Sequence, residues 1–237
     1  MINIVTALKI EAAPIIEYFN LKATGEIYQN NEINLIITGS GKVKSAINTA
    51  LLLQKKTYPT INIGIAGSNK HPVGSSFFIH KITDTDTDFE YYPDFFEEPS
   101  EEIFTISKPQ KYFPLVDMES SGFFEAAYKF LSVEKIILYK IVSDTPNKPF
   151  NKDIVPKLIK KSFPIIKYLI KRFQNKPLFP DIEEKIKNLY LTQTQKAKLK
   201  ELLTYMHIKN IPFPNIPKTN NKKETQLFIE KLKKSLL

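Results

Sequence analysis

Residues 1 to 67 alternate short apolar runs with segments of helical spacing, and each apolar run closes on a small residue or a glycine turn. Met1 to Ala7 is apolar throughout, and Ile10 to Phe19 carries apolar positions at helical intervals. Ile33 to Thr38 ends in Gly39-Ser40-Gly41, Val43 to Gln54 has helical spacing and many small residues, and Ile61 to Ile65 enters Ala66-Gly67. Strand, turn, helix and strand in this order force crossovers, which build a largely parallel sheet covered by helices. Phe77 to Ile82, Ile103 to Ser107 and Lys135 to Val142 read as further strands, and Glu119 to Leu131 and Ile154 to Phe173 as helices. The expected fold class is α/β: a three-layer αβα arrangement with a central mixed, largely parallel sheet. Open sheets of this kind keep ligands beyond the C-terminal ends of their strands, which here points to Ser143 and Asp144.

Beyond residue 174 the grammar changes. Asn175 to Pro180 holds two prolines and reads as a linker; Ile182 to Leu191, Gln195 to Met206 and Glu224 to Leu237 have helical periodicity, with Thr192 or Thr194 as cap of the middle helix. We therefore expect a domain over 1–174 and a helical C-terminal extension over 175–237. The net charge of +9 is uneven: the extension carries 13 basic and 6 acidic side chains, the rest of the chain 21 and 19. A basic extension fits either a solvated helical face or weak nucleic-acid contact. Asp84 to Glu102, rich in carboxylates and aromatics, reads as a surface loop or lid. There is no cysteine, no apolar run of bilayer length and no secretory start, so the expectation is a cytoplasmic protein without membrane contact.

Several motifs fail on inspection. Gly39-Ser40-Gly41-Lys42 lacks the earlier glycine of a phosphate loop, Val43 stands where a hydroxyl must bind magnesium, and Lys44 occupies the third glycine position of a dinucleotide fingerprint. Asp84, Asp86 and Asp88 imitate the start of a calcium loop, but Phe89 replaces its turn glycine and Phe95 its bidentate glutamate. His71, His80 and His207 are too scattered for zinc. No metal and no cofactor is expected. What remains is three carboxylates: Glu11 after the first strand, Glu119 in Val116-Asp117-Met118-Glu119, and Asp144 in Ile141-Val142-Ser143-Asp144. Each alone also reads as a helix cap or a solvated group.

Taken together and in order, these segments resemble the purine nucleoside phosphorylase and methylthioadenosine nucleosidase superfamily. The resemblance rests on Thr6-Ala7-Leu8 with Glu11, Ile37 to Val43, Gly64-Ile65-Ala66-Gly67, Asp117 to Phe123 and Val142-Ser143-Asp144, and covers residues 1 to 172. Tyr92-Pro93-Asp94 and the helical extension are similar to nucleoside phosphorylase-like proteins associated with spore photoproduct lyase. The resemblance implies cleavage of the N-glycosidic bond of a small purine nucleoside, with Asp144 as acid on the leaving base and a raised pKa for that task. It further implies Glu11 orienting and deprotonating water, Glu119 and Met118 on the ribose, and a homo-oligomer, commonly a dimer. Ser143 together with Phe104, Ile106 and Ser107 is the candidate base site, with Tyr91 or Tyr92 as a lid. Gly39, Gly41, Ala66 and Gly67 form the turns beside the nucleophile or anion.

Whether the nucleophile is water or phosphate turns on cations. Arginine is the usual phosphate ligand, and Arg172 is the single arginine in the chain, so hydrolysis is the leading expectation; lysines such as Lys42 keep phosphorolysis open. A non-catalytic protein that recognises a nucleoside or a nucleic-acid end is the third expectation. The chain departs from the family pattern at Ile65, where a small polar residue is usual, at Thr145-Pro146, and in the short span of 32 residues between Asp84 and Asp117.

Overall fold

The computed structural model describes residues 1–95, 97–108, 113–174, 186, 189–208, 211–217, 219 and 221–235. They fall into two compact units, Met1–Phe173 and Gln174–Leu237. The first opens with β1 (Ile2–Thr6), α1 (Lys9–Tyr18), β2 (Lys22–Thr24), β3 (Ile27–Gln29), β4 (Ile33–Ile37), α2 (Lys42–Lys55) and β5 (Thr60–Gly67). It continues with β6 (Ser76–Asp84), β7 (Glu90–Tyr91), β8 (Ser100–Thr105), β9 (Val116–Asp117), α3 (Ser120–Tyr128), β10 (Ile136–Asp144), α4 (Val155–Ile159) and α5 (Phe163–Gln174).

β1 lies between β4 and β5 and is parallel to both, as strand-helix-strand crossovers require. Alternation along the strands sends side chains to two cores. Ile61, Ile63, Ile137 and Ile141 meet Ile15 of α1, Ile159 of α4 and Ile166 of α5, while Val5, Leu138 and Val142 meet Leu52 and Leu53 of α2 and Phe123 of α3. Helices thus cover both faces of a mixed sheet. The open sheet expected from the sequence is corrected, however, because one part of it closes. β5 pairs with β10, β10 with β6, β6 with β8, β8 with β9, and β9 returns to β5 through Gly67 and Val116, giving a closed ring of five strands. Two features permit this: β5 is long enough to pair with β1 in its first half and β9 at its last residue, and its glycines Gly64 and Gly67 leave room for close neighbours.

The stretch 84–102 is a surface loop over 85–89, as expected; beyond it the lid alternative is corrected, because Glu90–Tyr91 forms a hairpin with β6, Phe95 is buried against Phe78, and Ser100 starts β8. The single helix expected over 154–173 breaks into α4 and α5 around a 3-10 turn at Lys160–Ser162, because Pro164 has no N–H to continue the helical ladder. The hairpin β2–β3 carries no strong sequence signal and was not foreseen.

In the second unit, helices Gln193–Ile208 and Lys222–Ser235 enclose Leu199, Leu202, Leu203, Ile229 and Leu232. Thr192 caps the first of them: the Gln195 N–H donates to Thr192 Oγ1 and the Thr192 N–H to Gln195 Oε1, a reciprocal capping box. The expected linker Asn175 to Pro180 and most of the expected helix Ile182 to Leu191 lie outside the described residues. Among the described residues no helix is long and apolar enough to cross a membrane.

Candidate active site

A cavity of about 460 Å³ opens at the C-terminal ends of β1, β5 and β10, walled by Ala7, Leu8, Glu11, Ser40, Ile65, Ala66, Gly67, Ile106, Val116, Asp117, Met118, Glu119, Ser143, Asp144 and Phe150. Its size suits a small organic ligand. Four of these side chains are carboxylates, and among the described residues the lining contains no lysine, arginine or histidine.

Glu11 sits one turn into α1 and bends back to cap it. Its Oε2 accepts from the N–H groups of Ala7 (3.0 Å) and Leu8 (2.8 Å), and Oε1 accepts from Ile65 N–H (2.9 Å). The helix-cap reading therefore holds for a side chain that also lines the cavity. At 1% exposure it is deeply buried. Burial raises its pKa to about 7, outweighing the three backbone donors and the nearby Lys140, with the charge of Glu119 adding to the rise.

Glu119 arrives from the other wall, at the start of α3. Its Oε1 accepts from Gly41 N–H at 2.8 Å and from Ser40 Oγ at 3.0 Å, and the side chain is 8% exposed. Burial and the neighbouring Asp117 push its pKa upward against Lys140 and these two donors. Met118 lines the same wall, its sulfur 3.9 Å from Ser40 Oγ.

Asp144 ends β10. Pairing of β10 with β5 runs in step to Val142↔Ala66, then skips Ser143, so that Asp144 faces Gly67. Such a bulge re-aims the following side chain. Ser143 Oγ donates to Asp144 Oδ1 at 2.6 Å. Beyond Asp144 lies a smaller recess of about 150 Å³ lined by Gly67, Ser68, Asn69, Phe113, Thr145, Pro146, Pro149 and Phe150. Phe150 is 51% exposed and borders both spaces.

The structure thus gathers Glu11, Met118, Glu119, Ser143, Asp144, Ile106, Ala66 and Gly67 around one cavity. Gly39 and Gly41 do not line it; Gly41 contributes its N–H to Glu119. Phe104 and Ser107 are not in the lining either. β8 turns Phe104 outward, onto Phe113 at 4.7 Å between ring centres, and Ser107 is engaged by Asp86. Tyr91 packs on Phe124 and Tyr92 bonds Glu90, so neither forms a lid. Lys42 is no anion ligand: its Nζ is held by Asp84 and Asp86. The same contacts occupy two of the three aspartates of the calcium-like stretch. His71 pairs with Glu101 and His80 with Ser100; the side chain of His207 lies outside the described set.

Lys140 was missed. It occupies a strand slot between Leu138 and Val142, is 1% exposed, and bonds Asp117 Oδ2 at 2.7 Å and Asn62 Oδ1 at 2.5 Å. A lysine inside the run Ile-Ile-Leu-Tyr-Lys-Ile-Val is itself a signal, because a charge buried in a central strand requires a partner. Gly64 makes the room: a Cβ there would stand 3.2 Å from Glu11 Oε1 and 3.6 Å from Lys140 Nζ.

No family profile and no curated protein matches the sequence. The solved structures do. A single-residue variant of the MTAN of Chlamydia trachomatis superposes with a TM-score of 0.60 at 19% identity, covering 73% of this chain and 98% of that one. The 5'-methylthioadenosine nucleosidase of Arabidopsis thaliana gives 0.61 at 16%, covering 71% and 95%. The fold is that of the methylthioadenosine nucleosidases. The Campylobacter jejuni 5'-methylthioadenosine/S-adenosyl homocysteine nucleosidase agrees, at 0.58 and 14% identity, over 72% and 96%. The Chlamydia trachomatis protein has also been solved bound to MTA and to adenine.

Proposed function

We propose that the protein is a purine nucleosidase, using water to break the bond between the base and its ribose. The observation that carries this reading is the lining of the cavity: four carboxylates and, among the described residues, no cationic side chain. Breaking a ribosidic bond builds positive charge on the sugar and negative charge on the base. Carboxylates around the sugar favour the first, and a carboxyl that gives its proton to the base absorbs the second. Among the described residues a phosphate nucleophile would find no free cation there, since Lys42 and Lys140 are both held by aspartates and Arg172 by Glu97.

In this reading Glu119 accepts from ribose hydroxyls, Met118 packs on the sugar, and Glu11 takes a proton from the attacking water. Asp144, held by Ser143, protonates the purine ring nitrogen beside the sugar. The base lies against Asp144 at the mouth of the recess, with Phe150 across its face in place of Phe104. The structural neighbours make methylthioadenosine the first substrate to try. We also propose that the protein acts as a homo-oligomer in the cytoplasm. The finer grouping with photoproduct-lyase-associated proteins, on Tyr92-Pro93-Asp94 and the helical extension, assigns nucleic-acid contact to the basic extension.

A panel of purine nucleosides incubated with and without phosphate tests the reading. Free base is expected in phosphate-free buffer at an unchanged rate when phosphate is added, and Asp144→Asn, folded by circular dichroism, should lose release by roughly 100-fold or more. Strict dependence on phosphate, or full activity in that variant, rejects it.

A further inference from the structure

Glu119 owes its orientation to two donors, Ser40 Oγ and Gly41 N–H, both on the turn between β4 and α2. That turn holds glycines at φ +84° (Gly39) and +102° (Gly41), a backbone with many alternatives unless its end is anchored. The anchor is Lys42, whose Nζ lies 2.8 and 2.9 Å from the two oxygens of Asp84 and 2.5 Å from Asp86 Oδ2. Asp84 in turn accepts from Ser121 Oγ at 2.6 Å, and Ser121 stands two residues past Glu119 on α3. One carboxylate, 4% exposed at the end of β6, therefore ties down both partners of the same hydrogen bond: the turn that donates and the helix start that accepts. An ion pair this enclosed adds little stability compared with apolar packing. Its geometry answers instead to the site it frames.

We propose that Asp84 is a positioning residue that sets the grip of Glu119 on the ribose hydroxyls, and so the preference for ribose over deoxyribose. This rests on the nucleosidase reading above. Asp84 lies outside the cavity lining and acts only through Lys42 and Ser121. Loosening either tie lets Glu119 drift from the hydroxyls, and a misplacement of about 1 Å can cost on the order of 100-fold in rate. A substrate lacking the 2'-hydroxyl gives Glu119 less to hold and loses correspondingly less.

The test measures kcat/KM of the full-length protein on a ribonucleoside and its 2'-deoxy counterpart. In Asp84→Asn, activity on the ribonucleoside should fall roughly 10- to 100-fold and the ribo-to-deoxy ratio should shrink by a similar factor. Ser121→Ala, which changes no charge, should shift the ratio in the same direction and provides the reading where Asp84→Asn does not fold. Lys42→Arg should restore most of the preference that Lys42→Met removes. Equal losses on both substrates in folded variants, or none, overturn the role of Asp84 while wild-type release leaves the nucleosidase reading standing. No release by the wild type from any nucleoside overturns both.

Discussion

Glu11 concentrates the conflict of this site in one side chain. Three backbone N–H groups favour its ionised form, yet burial prevails and holds it near pH 7, where a general base works best. The base must be ionised to accept a proton from water. With the proposed role, kcat/KM should therefore fall about tenfold per unit as pH drops below about 7 and level off above it, as a pH–rate profile would show. A limb centred near pH 4.5 instead would remove Glu11 from that step. The same shift acts on stability with opposite preference. The folded state holds this proton more tightly than the unfolded chain, so the contribution is fully present below pH 4.5 and is lost as pH rises through about 7. At the residue scale the positions of Glu11, Glu119 and Asp144 were legible, because each follows or ends an element with a clear period. Their bonding was not, because the donors of Ile65 and Gly41 lie far away in sequence.

Among the elements, the crossing of α2 and α3 governs the site most directly. α3 brings Glu119, α2 follows the turn that holds it, and the two helices meet at Gly122. A Cβ at Gly122 would stand 2.7 Å from the carbonyl carbon of Lys42 and closer still to its oxygen, so neither helix could stay in place. Glycine inside a helix ordinarily costs about 0.5–1 kcal/mol relative to alanine, so local propensity alone expects Gly122→Ala to stabilise. Here we expect the reverse: a loss of about 1–3 kcal/mol in urea unfolding, the cost of overpacking, with base release falling further than the unfolded fraction explains. A more stable variant would show that the helices have room. The bulge at Ser143 and the break before Phe163 mark the limits of pattern reading at this scale. The break is visible in Pro164, whereas the bulge exists only in the pairing with β5.

For the whole molecule, every described residue lining the cavity belongs to the unit Met1–Phe173, and the second unit has an apolar cluster of its own. Truncation after Gln174, the last residue of α5, should leave base release within about twofold of the full chain, since the cores that enclose the cavity are intact. A collapse of activity in a folded truncated protein would assign the basic helices a part in the reaction.

Local order along the chain was enough to determine most strands and helices of the first unit, β1, β4, β5, β6 and β10 among them, and which carboxylates stand at strand ends, because periodicity and glycine turns act over a few residues. It also ruled out phosphate-loop and dinucleotide turns. Only the tertiary structure decided that the sheet closes through Gly67 and Val116, that Lys140 lies buried against Asp117, and that Lys42 is occupied by Asp84 and Asp86. Ring closure and ion pairing join residues tens of positions apart, and a charged side chain carries no mark of its partner until the backbone brings the two together.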